Sequence, residues 1–358
     1  MKTMRVLLFL LVATFAISCA NVPKTPEPTV ANIEPRTTGD DITIVFGGDT
    51  MLDDLALPYI MKYGYSYQID ELSTIFKSAD IAVINLEAPV VRECERAVKR
   101  QSTYLYYAWP EALIAMKEAG INVLDFANNH TFDCEVKGAP ETLENIEKAG
   151  LYHFGAGKNE QSRKGLVIKV KNTKVGLLGY WQFTKPREEG WQTGNPTKAN
   201  LTQDIKRMKK YYCDVLFVVF HWGKNYHFDV YKAQKKLAEI AIDAGADAVV
   251  GHHPHMEQPT GIYKGAPIIY SIGNMAFGTG NTRADNGLLA RFIVSKSKIV
   301  RTELIPLSVQ NRSPQVLWQT RILGDEQGKA LIERVSVESE RYNATLRWEN
   351  GVGVLSQP

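Results

Sequence analysis

Residues 231–255, YKAQKKLAEIAIDAGADAVVGHHPH, carry the clearest fold signal in the sequence. They read as a helix over 231–244 that ends at Gly245, and an apolar strand over 246–250 that runs into three histidines within 251–255. The apolar residues of the helix share one face, at Ala233, Leu237, Ile240, Ala241 and Ala244. An amphipathic helix followed at once by a fully apolar strand is typical of a parallel sheet with helices on both faces.

The same order of helix, glycine and strand recurs earlier in the chain. Helical patterns over 112–119 and 140–149 each stop at a glycine, and short apolar strands follow them at 121–126 and 151–154. Other predicted elements are strands at 42–46, 80–86, 214–220 and 267–272, a hairpin over 166–180 and antiparallel strands over 286–309. The carboxyl ends of parallel strands form one edge of a sheet, where open α/β sheets bind their ligands. We therefore predict an α/β fold with its functional site at that edge.

Polar clusters follow nearly every one of these strands. They are Asp49, Asn85-Leu86-Glu87, Asn128-Asn129-His130, His221-Trp222-Gly223, the segment 251–255 and Ser271-Ile272-Gly273-Asn274. Carboxylates and imidazoles together suit Mn, Zn, Fe or similar divalent ions, and the two oxygens of a carboxylate such as Glu87 can bridge two ions. Each cluster taken singly is also explained as a turn, a helix cap or a structural histidine. Their joint recurrence at strand ends favours a metal site.

These clusters resemble the motifs of the CapA (PgsA) poly-γ-glutamate capsule biosynthesis family. The resemblance runs over residues 41–310 in the same order and rests on Gly48-Asp49-x-Met51, Asn85-Leu86-Glu87, Ala127-Asn128-Asn129-His130, His221-Trp222-Gly223, Gly251-His252-His253-Pro254-His255 and Ser271-x-Gly273-Asn274. That family is similar to the calcineurin-like metallophosphatases. The resemblance therefore implies a metallophosphatase-like four-layer αββα sandwich with a divalent metal site.

The resemblance also implies a role for each motif residue. Asp49 binds a first ion and Glu87 bridges both ions. The remaining ligands are Asn129 and His221 on the second ion, and His253 and His255, one on each ion. Glu87 and His130 are the catalytic residues, and His130 is the unliganded histidine that protonates the leaving group or stabilises charge. Asn85 supports the ligands.

Two positions depart from the metallophosphatase pattern. Met51 stands where those enzymes usually carry a histidine, and Glu87 where they usually carry an aspartate. The first ion therefore lacks one usual ligand. Three outcomes stay open: the ion is weakly held, it is completed by His252 or Asn85, or the site holds a single ion.

Residues next to the motifs are predicted to surround the substrate. Substrate-contacting positions are Trp222, Tyr226, His227, Asn274 and His252, although Trp222 is equally well explained as a packing residue. Asp133, three residues after His130, either orients that imidazole from outside the ligand set or caps a helix.

The N-terminus has the form of an export signal. Residues 1–18 combine Lys2 and Arg5 with an apolar stretch over 6–17, which is too short to span a bilayer. The following Cys19 completes a sequence that resembles the bacterial lipobox, which implies lipidation; an ordinary signal peptide is the alternative. Residues 20–40 hold four prolines and predict an extended tether. We expect an exported lipoprotein, anchored to a membrane and facing the periplasm or the cell exterior.

Three further cysteines lie in the chain. Cys94 and Cys134 each follow a candidate metal motif, and they can form a disulfide in an oxidising compartment if those motifs converge; the spacing leaves their pairing open. Cys213 opens an apolar run and is predicted to be a buried thiol. Residues 311–358 are weakly patterned, and we expect a packed extension or a small β-rich appendage there.

The net charge and the motifs are compatible with two main candidate functions. The net charge of +3 argues against nucleic acid as a partner. The first function is a metal-dependent hydrolase or transferase that attacks a phosphoester or an amide, with poly-γ-glutamate, another anionic envelope polymer or its precursor as substrate and other capsule synthesis proteins as partners. The second is a non-catalytic component that binds or guides such a polymer. A phosphatase unrelated to capsule is a third, weaker interpretation.

Overall fold

The computed structural model describes residues 26–94 and 105–358. The predicted signal peptide over 1–18, the predicted lipidation site Cys19 and the first residues of the predicted tether lie outside these ranges. Within them, every helix is too short or too polar to cross a membrane.

Nineteen strands are present in these ranges, and most of them belong to two large sheets. Their bounds are β1 Thr29–Asn32, β2 Ile42–Met51, β3 Ile81–Leu86, β4 Val123–Asp125, β5 Tyr152–Phe154, β6 Ala156–Lys158, β7 Leu166–Val170, β8 Thr173–Trp181, β9 Trp191–Thr193, β10 Val215–His221, β11 Ala248–His252, β12 Thr260–Tyr263, β13 Ala266–Ile269, β14 Asn274–Phe277, β15 Asn286–Ser295, β16 Lys298–Ser308, β17 Arg321–Ile322, β18 Thr345–Glu349 and β19 Val352–Ser356.

Seven α-helices lie in the described part of the chain. Their bounds are α1 Leu57–Tyr63, α2 Ser73–Lys77, α3 Glu111–Glu118, α4 Glu135–Lys148, α5 Lys198–Tyr211, α6 Lys232–Ala244 and α7 Asp325–Ser339.

The two large sheets stack face to face. One sheet has the strand order β1-β7-β8-β10-β11-β13-β12, with β8, β10, β11 and β13 parallel. The other has the order β18-β19-β16-β15-β2-β3-β4-β5, with β2 to β5 parallel, β14 beside β2 and β17 beside β16. The core between them is apolar and holds inward-facing side chains of both, such as Phe46, Val83, Phe217 and Val250.

Helices cover the outer faces of both sheets. The alternate residues of β2 and β3, such as Val45 and Ile84, pack on the layer that contains α1 to α4. The outward residues of β10, such as Val218, pack on α5 and α6 through Ile205 and Ala241. This order of layers confirms the predicted four-layer αββα sandwich.

The buried face of α6 differs from the predicted one. Ala241 is buried as expected, but Ala233 is exposed and Gln234 is fully buried instead. The reason is a polar contact inside the fold, because Gln234 Nε2 donates to Gln258 Oε1 at 2.8 Å. A long-range hydrogen bond therefore rotates the helix relative to its apolar stripe.

The predicted tether over 20–40 is wrong for its second half. Residues 29–32 form β1, which pairs with β7 along the edge of the sheet, and Ala31 is buried there. Arg36 then donates to the carbonyl of Gly120 at 2.6 Å, and its backbone N–H donates to Asp80. Main-chain pairing orders this polar, proline-containing segment, because it requires little apolar side-chain area.

The C-terminal segment adds to the sandwich rather than standing apart from it. The hairpin of β18 and β19 extends the larger sheet through β16, which accounts for the predicted β-rich extension. Helix α7 buries Leu331, Ile332 and Val335 in the core between the sheets. Helix α7 also contacts the chain just after the 251–255 motif, since Arg334 forms an ion pair with the buried Glu257.

Candidate metal centre

The predicted ligands lie at the carboxyl ends of strands in both large sheets. Asp49 on β2 lies beside Asn85 on β3 and beside Asn274 on β14, and His221 on β10 lies beside His252 on β11. The approach of β14 requires a glycine at Gly48, where a Cβ would lie 2.1 Å from the carbonyl oxygen of Gly273. The two sheets therefore present their carboxyl ends to the same hollow.

Two groups of ligand atoms share one carboxylate there. Asp49, Glu87 and His255 form one group, and Glu87, His221 and His253 form the other, with the ligand atoms of each group within 4.8 Å of one another. Asn129 joins the second group, because its Oδ1 lies 2.6 Å from His221 Nε2. The structure thus gathers all six predicted ligands, with Glu87 between the two positions.

Glu87 has the surroundings expected of a metal ligand. Its side chain is fully buried, and neither carboxylate oxygen has a hydrogen-bond partner among the described residues. Burial and the nearby charge of Asp49 raise the pKa of Glu87 to about 8. Ionising a buried acid that accepts no hydrogen bond is costly unless a cation compensates it, so the donor set fits one or more divalent ions.

The imidazoles differ in pKa, and therefore in whether they must lose a proton before they can bind a metal ion. Burial lowers the pKa of His221 and of His253 well below the usual value, so both are neutral with a nitrogen lone pair available. Burial alone would lower the pKa of His255 as well, but the charges of Glu87 and Asp49 raise it to about 9. Burial opposes ionisation of Asp49 too, yet its bonds to His252 and His255 hold its pKa well below the usual range.

Metal binding to the metal-free protein is expected to release protons. Glu87, with a pKa of about 8, and His255, with a pKa of about 9, must both lose a proton to act as ligands. The affinity for Mn²⁺ is therefore expected to rise as the pH increases through these values and to level off above them, with protons released near neutral pH. Calorimetric titration in buffers of different ionisation enthalpy measures this release. Glu87→Gln is expected to reduce the proton release, because it removes the Glu87 proton and also the charge that helps to raise the pKa of His255. An affinity independent of pH would contradict the prediction.

His130 stands beside the ligands rather than among them. Its Nδ1 lies 2.7 Å from Asp133 Oδ2, which also accepts the backbone N–H of Tyr106 at 2.9 Å. This contact leaves Nε2 for the cleft that His130 lines. Asp133 does not cap the next helix, since α4 begins at Glu135 without a side-chain cap. Of the two roles predicted for Asp133, the geometry supports the orienting one.

Asp133→Asn is expected to lower kcat about 10- to 100-fold and to leave the metal content unchanged, because Asp133 acts through His130. Metal analysis beside steady-state kinetics measures both. Asp53→Asn is the matched control, since Asp53 accepts the backbone N–H of Tyr107 in the same segment without an observed bond to His130. Loss of metal from the Asp133 variant, or an equal loss of rate in the control, would refute the orienting role.

A cleft of about 650 Å³ opens over this centre. Tyr226 and His255 line it as predicted positions, and the Tyr226 hydroxyl lies 3.3 Å from Thr279 Oγ1. The sequence motifs did not point to Tyr106 or Asp54, which line the cleft as well. No local pattern marks them, because the chain path alone brings them beside His130.

Comparison with known proteins identifies the family. The family model described as bacterial capsule synthesis protein PGA_cap matches residues 43–279. This chain belongs to the PGA_cap family. It is 30% identical to the capsule biosynthesis protein CapA of Bacillus anthracis over 314 residues. This alignment covers 85% of this chain and 76% of that protein.

A second CapA protein agrees with this assignment. The PGA biosynthesis protein CapA of Bacillus subtilis is 29% identical, over 85% of this chain and 79% of its own length. Among solved structures, the calcineurin-like phosphoesterase YfkN of Bacillus subtilis aligns with a TM-score of 0.47 and 14% identity, covering 84% of this chain and 98% of that chain.

Several substrate contacts predicted for this PGA_cap protein are wrong. Trp222 is fully buried, stacks on Phe220 with ring centroids 4.5 Å apart and donates to the carbonyl of Tyr270. It packs in the core under α5 and α6, because it lies on the face of the strand opposite to His221. His227 does not line the cleft; its carbonyl accepts from Gln258.

His252 and Asn274 support ligands instead of facing substrate. Both side chains are buried. His252 Nδ1 lies 3.2 Å from Asp49 Oδ1, and Asn274 Oδ1 lies 3.0 Å from His255 Nδ1. Each therefore orients a predicted ligand from behind, a contact that secures ligand geometry in metal sites.

The first ion position of this PGA_cap protein has no imidazole from its first motif. Met51 is buried against Ala88, Tyr106 and Phe277, so an apolar side chain closes that side. Asn85 Nδ2 donates to Asp49 Oδ1 at 2.8 Å and thereby fixes this ligand. Asp49, Glu87 and His255 are the three groups that remain for this position.

A disulfide lies next to the His130 segment. Cys94 and Cys134 are bonded, with their Cα atoms 5.1 Å apart. Cys134 directly follows Asp133 in the chain, so the bond constrains the turn that carries the Asp133 carboxylate. Cys213 is a buried free thiol, as predicted.

Proposed function

We propose that this protein is a metal-dependent hydrolase or transferase of the cell envelope, which cuts an amide or phosphoester in poly-γ-glutamate or a related anionic polymer or its precursor. The position of Glu87 carries this proposal, because this buried carboxylate belongs to both ligand groups and accepts no hydrogen bond from the described residues. His130, paired with Asp133, lines the same cleft as the ligand His255. The Bacillus relatives named for capsule and PGA biosynthesis support the choice of polymer.

The chain's residues divide the chemistry between them. Divalent ions such as Mn, Zn or Fe supply Lewis acidity and lower the pKa of a water molecule when bound. Asp49, Glu87 and His255 would hold one ion, while Glu87, His221 and His253 would hold the other. Asn129, whose amide oxygen lies 2.6 Å from His221 Nε2, would add a ligand to the second position.

His130 acts on the leaving group. As the oxygen of water bonds to the carbonyl carbon or the phosphorus, the proton of that water passes to the solvent and the bond to the leaving nitrogen or oxygen breaks. His130 Nε2 gives its proton to that leaving atom. Asp133 holds the ring through Nδ1 and stabilises the imidazolium before the proton is delivered.

The proposal includes export and membrane anchoring. Cys19 is the proposed lipidation site, and the protein would then face the periplasm or the cell exterior, where other capsule synthesis proteins would be its partners. The Cys94–Cys134 bond supports this location, because disulfides persist in oxidising compartments.

A second candidate function is a polymer-binding component without turnover. Met51 favours it, since the first ion position has an apolar residue where a histidine ligand is usual in metallophosphatases. The same cleft would then hold the polymer without cutting it.

Turnover by the purified full chain separates these functions. The chain is loaded with Mn²⁺ or Zn²⁺, analysed for metal, and incubated with a chromogenic phosphodiester and with poly-γ-glutamate. Metal-dependent cleavage that is lost in Glu87→Gln supports the hydrolase. Polymer binding without cleavage supports the second function, and absence of both metal and polymer binding overturns both.

A further inference from the structure

The described chain begins at the surface of α5. The carbonyl of Pro26 accepts a hydrogen bond from Arg207 Nη1 at 2.6 Å, and Arg207 Nη2 also donates to the carbonyl of Lys164. Cys19 precedes Pro26 by seven residues, a length of chain that reaches at most about 25 Å when fully extended. Any anchor at Cys19 therefore holds the α5 side of the fold close to the membrane.

The two helical layers differ in charge. On one side, α5 and α6 carry eight Lys or Arg and three Asp or Glu residues. On the other, α1 to α4 carry five basic and six acidic residues. The layer beside Pro26 is thus the basic one, and a surface of anionic phospholipids attracts such a face.

The second half of α5 carries this charge outward. The one acidic residue of helix α5, Asp204, is buried and bonds to Arg163 and Tyr180, so its charge faces the interior. Lys206 and Lys210 are exposed. Tyr211 is 64% exposed, and the Lys210 ammonium lies 4.9 Å from its ring centroid. Lysines beside an exposed aromatic ring are typical of surfaces at a membrane interface.

We propose that the end of α5 formed by Lys206, Lys210 and Tyr211 docks on an anionic phospholipid bilayer. This docking fixes the orientation of the protein. Helix α5 ends near the amino end of β10, whereas His221 and the metal centre lie at its carboxyl end. The cleft then opens away from the bilayer, toward polymer in the surrounding compartment.

Lysine acetylation on vesicles tests the orientation. The full chain is reconstituted on vesicles of phosphatidylcholine alone or with phosphatidylglycerol, and labelling of each lysine is measured by mass spectrometry. Each basic residue near an anionic surface raises the partition of the protein onto that surface about fivefold. A lysine in contact with lipid is shielded from the reagent, so labelling of Lys206 and Lys210 is expected to fall by about that factor when phosphatidylglycerol is present. Lys137 and Lys148 on α4 are expected to label equally on both vesicles.

Matched variants complete the test. The pair Lys206→Glu and Lys210→Glu is expected to abolish the lipid-dependent protection of the neighbouring Lys209, while Lys137→Glu with Lys148→Glu leaves the protection of Lys206 and Lys210 intact. Soluble glycerophosphoglycerol is expected to give no protection, which separates a bilayer from a free phosphate ligand. Equal labelling of α5 on both vesicles, protection of α4 instead, or a chain that does not associate with vesicles would overturn the proposal. None of these outcomes depends on turnover.

Discussion

Glu87→Gln is expected to lower kcat by about a thousandfold and to remove at least one bound ion, the largest effect of any single change in this protein. Glu87 belongs to both ligand groups, and its oxygens lack other partners among the described residues. Glutamine keeps the shape of the side chain but offers one neutral oxygen, which cannot bridge two cations. Metal analysis and steady-state kinetics on the purified full chain measure both effects.

The control for this variant is Asp125→Asn. Asp125 is also a buried acid at a strand end, and burial raises its pKa well above the usual value, so asparagine resembles its neutral form. It belongs to neither ligand group. We expect normal metal content and activity within a few-fold of wild type. An unchanged metal content in Glu87→Gln would refute the shared-ligand assignment.

His130→Ala is expected to lower kcat about 100- to 1,000-fold on substrates with poor leaving groups, with its metal retained. The effect is expected to shrink toward unity with nitrophenyl esters, because a good leaving group departs without a proton. A series of esters graded by leaving-group pKa measures the dependence. This pattern distinguishes proton donation from a structural role, which would lower all rates alike.

Metal content provides the control for that series. His130 lines the cleft but lies outside both ligand groups, so the variant is expected to bind as much metal as wild type. Asp133→Asn is expected to show the same leaving-group trend in weaker form, because it acts through the same imidazole. A uniform loss across the ester series would contradict the assignment of His130 as the acid.

One of the wrong predictions could have been avoided from the sequence. Phe220, His221 and Trp222 are consecutive, and side chains of a strand face alternate sides. Since His221 faces the metal centre, Trp222 must share the side of Phe220, which the helices cover. The period of the strand therefore already indicated that Trp222 packs in the core.

Other differences had no local signal. Gln234 takes the inner face of α6 because Gln258, from a distant segment, pairs with it. Tyr106 lines the cleft because its stretch of chain passes beside the predicted His130–Asp133 pair, where its backbone N–H donates to Asp133 Oδ2. Such contacts depend on the paths of loops, which sequence patterns do not encode.

The amino-acid order alone determined that acids, amides and imidazoles follow the apolar strands, and hence that they lie at the carboxyl ends of parallel strands. This works because strand period and parallel pairing are short-range geometric rules. Only the tertiary structure decided which side chains support the ligands, as His252 and Asn274 do, and which side of the fold Pro26 lies on. Those outcomes follow from contacts between segments far apart in the chain, whose energies appear only once both segments are in place.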